Sequence, residues 1–197
     1  GMMWFSTYNT IYNITKDNNI IRYSTDNGKT ATEIKISAGA YELKEINVEL
    51  QKYIGEKNIS ILPQISTGKV IMKLGEGVQI AFSYGLYELL GFEKKVYKNS
   101  AISENLARIT NVLDINIECD LVNGNYSNGK LDNILYSFPA NTVPWGYKII
   151  ERMNPPKYLP ITRKMIDSIH IRIIDQDGKL INFNGEKINL YLDLKHV

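Results

Sequence analysis

Strictly alternating apolar and polar positions dominate the last thirty residues of the chain. Residues 168–174 place isoleucine at every second position, and residues 188–195 do the same with isoleucine and leucine. A period of two puts neighbouring side chains on opposite faces of an extended strand. Residues 114–122 repeat the pattern, with Cys119 in the apolar row. These runs predict three half-buried strands, with a hairpin turn at residues 175–178.

The first half of the chain shows shorter β signals. Residues 3–14 alternate aromatic and polar positions, which predicts a strand or extended arm with Trp4 and Tyr8 on one face and Phe5 on the other. The Asp-Asn-Gly at residues 26–28 is typical of a hairpin between two short strands. With further strands predicted at residues 59–65, 70–74, 78–82 and 131–138, the total is nine to eleven.

Two segments have helical spacing instead. Residues 43–54 repeat leucine and isoleucine every three or four positions, with acidic residues in the first turn, Lys52 in the last and Gly55 as a stop. Residues 84–90 predict a helix of one or two turns that ends at Gly91. The expected fold class is therefore all-β with two short helices. Residues 1–30 are expected to form an N-terminal β-arm or meander that continues into a single domain at residues 31–197.

Composition narrows the classes of function. The 23 basic and 21 acidic residues leave a net charge of +2, so nucleic-acid contact through counterion release is not expected. No run reaches the 18 apolar residues of a membrane span, and no secretion signal precedes the first strand. We expect a protein that is not secreted and is made in a reducing compartment, with Gly1 as a cleavage remnant. Cys119 is expected in the core, with a reactive thiol as the alternative.

The sequence offers little for catalysis. Histidine is the commonest general base and metal ligand, and the chain has only His170 and His196. No nucleophile, phosphate-loop or dinucleotide motif is found. The Asp-Gln-Asp-Gly at residues 175–178 lacks most ligands of a calcium loop. We expect no catalytic residue, no cofactor and no metal, and therefore not an enzyme but a protein of assembly or recognition.

Five of the six prolines fall within residues 139–160. Proline donates no hydrogen bond to a sheet, so this region is not expected to be a central strand. It also carries Trp145, Tyr147 and Tyr158, which predicts a long surface excursion or a contact surface. A basic cluster overlaps it and is expected to be a solvated or subunit-contacting surface, with a nucleic-acid patch as the alternative: Lys148, Arg152, Lys157, Arg163 and Lys164.

An ordered set of segments carries a family resemblance. They are AYELKEIN at residues 40–47, LLGFE at 89–93, SENL at 103–106 with ITN at 109–111, CDLV at 119–122, and IDQDGKL at 174–180 with FNGE at 183–186. In order and spacing they resemble the capsid-type proteins of Polinton/Maverick elements and the related adintoviruses. The likeness spans roughly residues 34–194.

The resemblance implies a jelly-roll capsid subunit of a double-stranded DNA virus or a virus-derived transposon. Since 197 residues supply one eight-stranded sandwich and a major capsid protein of this type has two, a minor capsid or penton subunit with a single jelly-roll is the expectation. Its partners would be copies of itself, as a pentamer, and a major capsid protein. It would be made in the host cytoplasm or nucleus and reside in the virion. The candidate subunit interface comprises Trp4, Phe5, Tyr8, Trp145, Tyr147 and Tyr158, since aromatic residues dominate contact energy.

Two alternatives stay open. A jelly-roll module that binds a receptor or a glycan would use the loops at residues 123–129 and 139–160. A host protein exapted from such an element would have the same sequence features.

Overall fold

The computed structural model describes residues 1–122, 125–127, 130–161, 163 and 165–195. This part of the chain contains fourteen strands and two α-helices. The helices are α1 (Leu43–Ile54) and α2 (Leu86–Leu90). The strands are β1 (Met2–Tyr8), β2 (Ile20–Ser24), β3 (Thr32–Lys35), β4 (Ile59–Gln64), β5 (Lys69–Leu74), β6 (Gln79–Phe82), β7 (Ala101–Ile102), β8 (Asp114–Cys119), β9 (Asn125–Ser127), β10 (Lys130–Asp132), β11 (Ile134–Pro139), β12 (Lys148–Arg152), β13 (Ile171–Ile174) and β14 (Asn189–Leu192).

The all-β fold class with antiparallel sheets and two short helices is confirmed. The predicted count of nine to eleven strands is too low, because β7, β9 and β10 have only two or three residues and show no alternation. The Pro-rich region also contains a strand, β12, which among the described strands pairs only with β1 and is therefore an edge strand.

The chain forms two compact units. The terminal unit combines Gly1–Ile11 with Val112–Val197, and the inserted unit is Tyr12–Asn111. The predicted division into residues 1–30 and 31–197 stays a prediction. In the structure, β1 belongs to the terminal unit and β2 to the inserted unit.

The terminal unit has two three-stranded sheets, with strand orders β12-β1-β14 and β11-β8-β13, and a β9–β10 hairpin. One apolar core receives side chains from both sheets: Phe5 and Ile149 from the first, Ile117 and Phe138 from the second. The rings of Phe5 and Phe138 lie 5.2 Å apart between centroids. Cys119 is buried in this core, as expected.

A β-bulge in β1 sets which side chains reach this core. The register of β1 against β14 shifts between Met2 and Trp4, so Met3 is an extra residue. An extra residue reverses the alternation of the faces. Met2 and Phe5 are consequently both buried, although they are three positions apart.

The inserted unit has two three-stranded sheets, with orders β3-β2-β6 and β4-β5-β7, and both helices. Helix α1 buries Ile46, Leu50 and Ile54 in the core of this unit. It begins where the Glu42 N–H donates to Glu45 Oε2 at 2.8 Å, and it ends at Gly55, whose φ of 97° suits glycine. The prediction of this helix from sequence is confirmed at both ends.

Asn13 joins the two ends of the inserted unit. Its buried side-chain amide donates to the carbonyls of Tyr41 at 2.7 Å and Ile109 at 2.8 Å, and its Oδ1 accepts from the Tyr41 N–H at 2.9 Å. The Asn111 side chain donates in turn to the Asn13 carbonyl at 3.0 Å. Buried amide groups need such partners, and here those partners hold the entering and leaving chain together.

The predicted hairpin at residues 26–28 is confirmed, since β2 and β3 pair in antiparallel register around it. Asn27 and Gly28 both have positive φ, as this turn requires. The carboxylate of Asp26 accepts hydrogen bonds from the Ser24 hydroxyl and from the Thr30 hydroxyl and N–H. These bonds lower the pKa of Asp26 from 3.8 to about 2.

We expect the carboxylate of Asp26 to make the stability of this hairpin depend on pH. Because the folded pKa lies below the unfolded value, the stabilisation is complete above about pH 4 and is lost as the pH falls toward 2. Urea denaturation midpoints between pH 5 and pH 2 measure it for the wild type and for Asp26→Ala. The variant should show a weaker dependence in this window. Identical pH dependence in both proteins would contradict this assignment.

Candidate functional site

The outer face of the sheet β12-β1-β14 is the candidate functional site. Residues paired across antiparallel strands share a face, and the register places Trp4 opposite Arg152 and Tyr191, and Tyr8 opposite Lys148. The opposite face carries Phe5 and points to the core. We call the outward set the aromatic face: Trp4, Ser6, Tyr8, Lys148, Ile150, Arg152, Asn189 and Tyr191.

The aromatic face combines apolar surface with cations. Tyr8, Ile150 and Tyr191 are exposed large hydrophobic side chains, and the rings of Trp4 and Tyr191 pack 4.9 Å apart between centroids. Lys148 and Arg152 are exposed on the same face. Aromatic residues and arginine are enriched at protein interfaces, so this composition suits contact with another macromolecule.

Two polar atoms on this face are not satisfied. Within the described residues, Trp4 Nε1 and Ser6 Oγ are buried without a hydrogen-bond partner. Ser6 has Trp4 and Tyr8 beside it along β1, and Ile150 and Asn189 opposite it. Each buried polar group without a partner lowers the free energy of unfolding by about 1–3 kcal/mol. These two atoms therefore destabilise the isolated chain.

Three of the six candidate interface residues lie at one end of this sheet. Trp145 and Tyr147, 53% and 64% exposed, occupy the turn before β12, and Tyr8 ends β1 beside it. Asn9 holds this turn in place by three hydrogen bonds. Its N–H donates to the Tyr147 carbonyl at 2.8 Å, and its carbonyl accepts from the Gly146 N–H at 2.7 Å. Its side chain donates to the Val143 carbonyl at 2.9 Å. We call residues 143–148 the aromatic turn.

Tyr158 lies at the other end of the sheet. Its hydroxyl donates to Asp193 Oδ2, just after β14, and Lys195 Nζ lies 5.8 Å from its ring centroid. The hydrogen bond to Asp193, together with burial, raises the pKa of Tyr158. Since β1 is about 20 Å long at roughly 3.3 Å per residue, Tyr158 and the aromatic turn do not form one cluster.

Phe5 is wrongly placed among the interface candidates. Its side chain is 0% exposed and packs on Phe138. The alternating pattern separated Phe5 from Trp4 and Tyr8, but it did not show which of the two faces packs on the core. Ile150 and Tyr191 also lie on the aromatic face, although the sequence did not predict them as interface residues. Tyr191 lies in the polar row of its strand, and that outward row was the available signal.

The structure describes four of the five residues of the basic cluster. Lys148 and Arg152 belong to the aromatic face, whereas Arg163 Nη2 lies 3.4 Å from Asp120 Oδ2. Lys164 and His196 fall outside the described residues, as do residues 123, 124, 128 and 129 of the loop proposed for ligand binding. His170 is exposed, and its main chain bonds to Asp120.

The Asp-Gln-Asp-Gly segment is a hairpin turn, as predicted. Asp175 Oδ1 accepts from the Asp177 and Lys179 N–H groups, and Ile174 bridges to Leu180. Within the described ranges, no three His, Cys, Asp or Glu side chains are placed to hold a metal ion. Neither α1 nor α2 is long and apolar enough to cross a membrane.

Comparison with known proteins gives a limited result. No protein-family model matches the chain, and no curated protein shows significant sequence similarity to it. The crystal structure of the SeMet-labelled mavirus penton protein aligns with a TM-score of 0.45 and 13% sequence identity, covering 96% of this chain and 85% of that one.

We expect truncation of Phe5 to destabilise the protein far more than truncation of Tyr8. Phe5→Ala should lower the free energy of unfolding by about 3–5 kcal/mol, because it leaves a cavity beside Phe138. Tyr8→Ala removes an exposed ring and should change it by less than about 0.5 kcal/mol. Urea denaturation followed by circular dichroism measures both. A comparable loss for Tyr8→Ala would show that the aromatic face is covered within the chain itself.

Proposed function

We propose that the chain is a structural virion protein that assembles by self-association. In this proposal it is the single jelly-roll minor capsid, or penton, subunit of a Polinton/adintovirus-like double-stranded DNA virus or a virus-derived transposon. A major capsid protein would be its second partner. It would be made in the host cytoplasm or nucleus and reside in the virion.

The aromatic face carries this proposal. An exposed sheet face that combines Tyr8, Ile150 and Tyr191 with cations is composed like a protein interface rather than like an ordinary solvated surface. Beside it, the clamped aromatic turn presents Trp145 and Tyr147 without the entropic cost of ordering a mobile loop. These features favour contact between folded subunits.

The sequence resemblance supports the type of subunit. Three of its seven segments fall where the chain changes direction: residues 40–47 start α1, residues 89–93 end α2 at Gly91, and residues 174–180 form the turn after β13. The likeness therefore involves positions that determine the fold. The terminal unit also packs two antiparallel sheets on one apolar core, which is the layer arrangement of a jelly-roll sandwich.

Sedimentation velocity of the purified chain over a wide concentration range tests this proposal. We expect a species five times the 22.5 kDa chain mass, or smaller oligomers in exchange with it. Negative-stain electron microscopy should then show five-fold rings. A strictly monomeric chain at high concentration would overturn self-association. If that monomer bound glycans on an array, the receptor- or glycan-binding alternative would replace it.

A further inference from the structure

The inserted unit carries a groove on the solvent side of α1. Its volume is about 520 Å³, and it is lined by Ala40, Tyr41, Lys44, Glu45, Val48 and Glu49. Helix α1 turns Ile46, Leu50 and Ile54 into the core, so the groove runs along its opposite side. Val48 is 61% exposed there, an aliphatic side chain that is largely open to solvent.

The groove is apolar with acidic walls. Tyr41 and Val48 supply apolar surface, whereas Glu45 and Glu49 supply carboxylates. Burial raises the pKa of Tyr41, and the negative charges of Glu49 and Glu45 raise it further. Lys44 does not cancel this charge, because its Nζ lies 3.1 Å from Glu42 Oε2.

The aromatic turn of the terminal unit has the complementary character. Trp145 projects from a turn that Asn9 holds by three hydrogen bonds. Gly146 lies next to it with φ of 81°, and a Cβ added there would meet no atom within 4 Å, so the tip of the turn is open within the terminal unit. Lys148 follows directly and is exposed. A rigid tryptophan with an adjacent cation is the kind of residue group that dominates binding energy at interfaces.

We propose that the α1 groove of one copy accepts the aromatic turn of a second copy of this chain. Trp145 would pack against Tyr41 and Val48, and Lys148 would face Glu49. The choice of a second copy follows from charge complementarity: the groove carries the carboxylates of Glu45 and Glu49, the turn carries the cation of Lys148, and both surfaces belong to the same chain. This inference rests on the proposed self-association and assigns the surfaces that make it.

The contact is heterologous, since the turn and the groove are different surfaces. A pair of copies keeps one unused turn and one unused groove, so assembly continues beyond the dimer, into a closed ring where the rotation between copies closes and into an open filament where it does not. An isologous contact, in which the aromatic turns of two copies pack on each other, would stop at a dimer. This difference gives the inference its test.

The experiment mixes two variants, each defective in one surface. Trp145→Ala removes the turn, and the double variant Val48→Lys/Glu49→Lys blocks the groove. Each alone should raise the dissociation constant for self-association at least roughly tenfold, as sedimentation velocity measures. Mixed in equal amounts, they should form a one-to-one heterodimer and nothing larger, because only one intact turn and one intact groove remain per pair.

A charge exchange provides a second measurement that does not depend on truncation. Lys148→Glu and Glu49→Lys should each weaken self-association, and the double variant should regain part of the loss. Tyr84→Ala is the matched control, since Tyr84 is an exposed aromatic side chain of the inserted unit outside the groove. Circular dichroism melts establish that every variant folds.

The outcomes separate this inference from the proposed function. If the wild type self-associates but the variants keep its oligomeric mass, the groove and turn are not the interface and the proposed function stands. A mixture that stays monomeric also overturns the inference. A wild type that is monomeric at every concentration overturns both.

Discussion

The central position of β1 in the sheet β12-β1-β14 is the constraint on which the terminal unit depends. Its backbone pairs with β12 on one side and β14 on the other, so residues 2–8 join segments whose paired residues lie 140 or more positions away in the chain. Without this strand, Ile150 and Tyr191 would have no common face. The bulge at Met3 then lets Met2 and Phe5 both enter the core while Trp4 stays outside.

Local features of this fold were predictable from sequence because their causes are local. Helix α1 is fixed by acidic residues at its start, an apolar stripe and Gly55, all within one segment. The hairpin at residues 26–28 follows from the tolerance of Asn27 and Gly28 for positive φ. The sequence predicts a strand over residues 168–174, and a strand is present there. It is shorter than predicted, because β13 covers only Ile171–Ile174 and Ile169 is exposed before it.

Features that depend on distant partners were not predictable in the same way. The alternating pattern in β1 places Phe5 and Trp4 on opposite faces of the strand. Phe5 faces the core because it packs on Phe138 of the second sheet, and that contact cannot be read from the pattern of β1. The division into two units could not be predicted from the sequence for a related reason. Its boundaries near residues 11 and 112 carry no linker composition, and the inserted unit is closed by buried hydrogen bonds of Asn13 to Tyr41 and Ile109, which leave no periodic signal.

The two cations of β12 serve a structural need that is independent of any partner. An edge strand exposes unpaired N–H and C=O groups, and lysine or arginine along it opposes indiscriminate pairing with other chains. Lys148 and Arg152 are placed at the two ends of β12, beside an apolar face that would otherwise favour aggregation. The same charges limit which surfaces can approach the aromatic face. An apolar partner without carboxylates would have to desolvate both cations without compensation, whereas an acidic apolar surface replaces their hydration with ion pairs. Protection of the edge and selection of an acidic partner therefore follow from one pair of side chains.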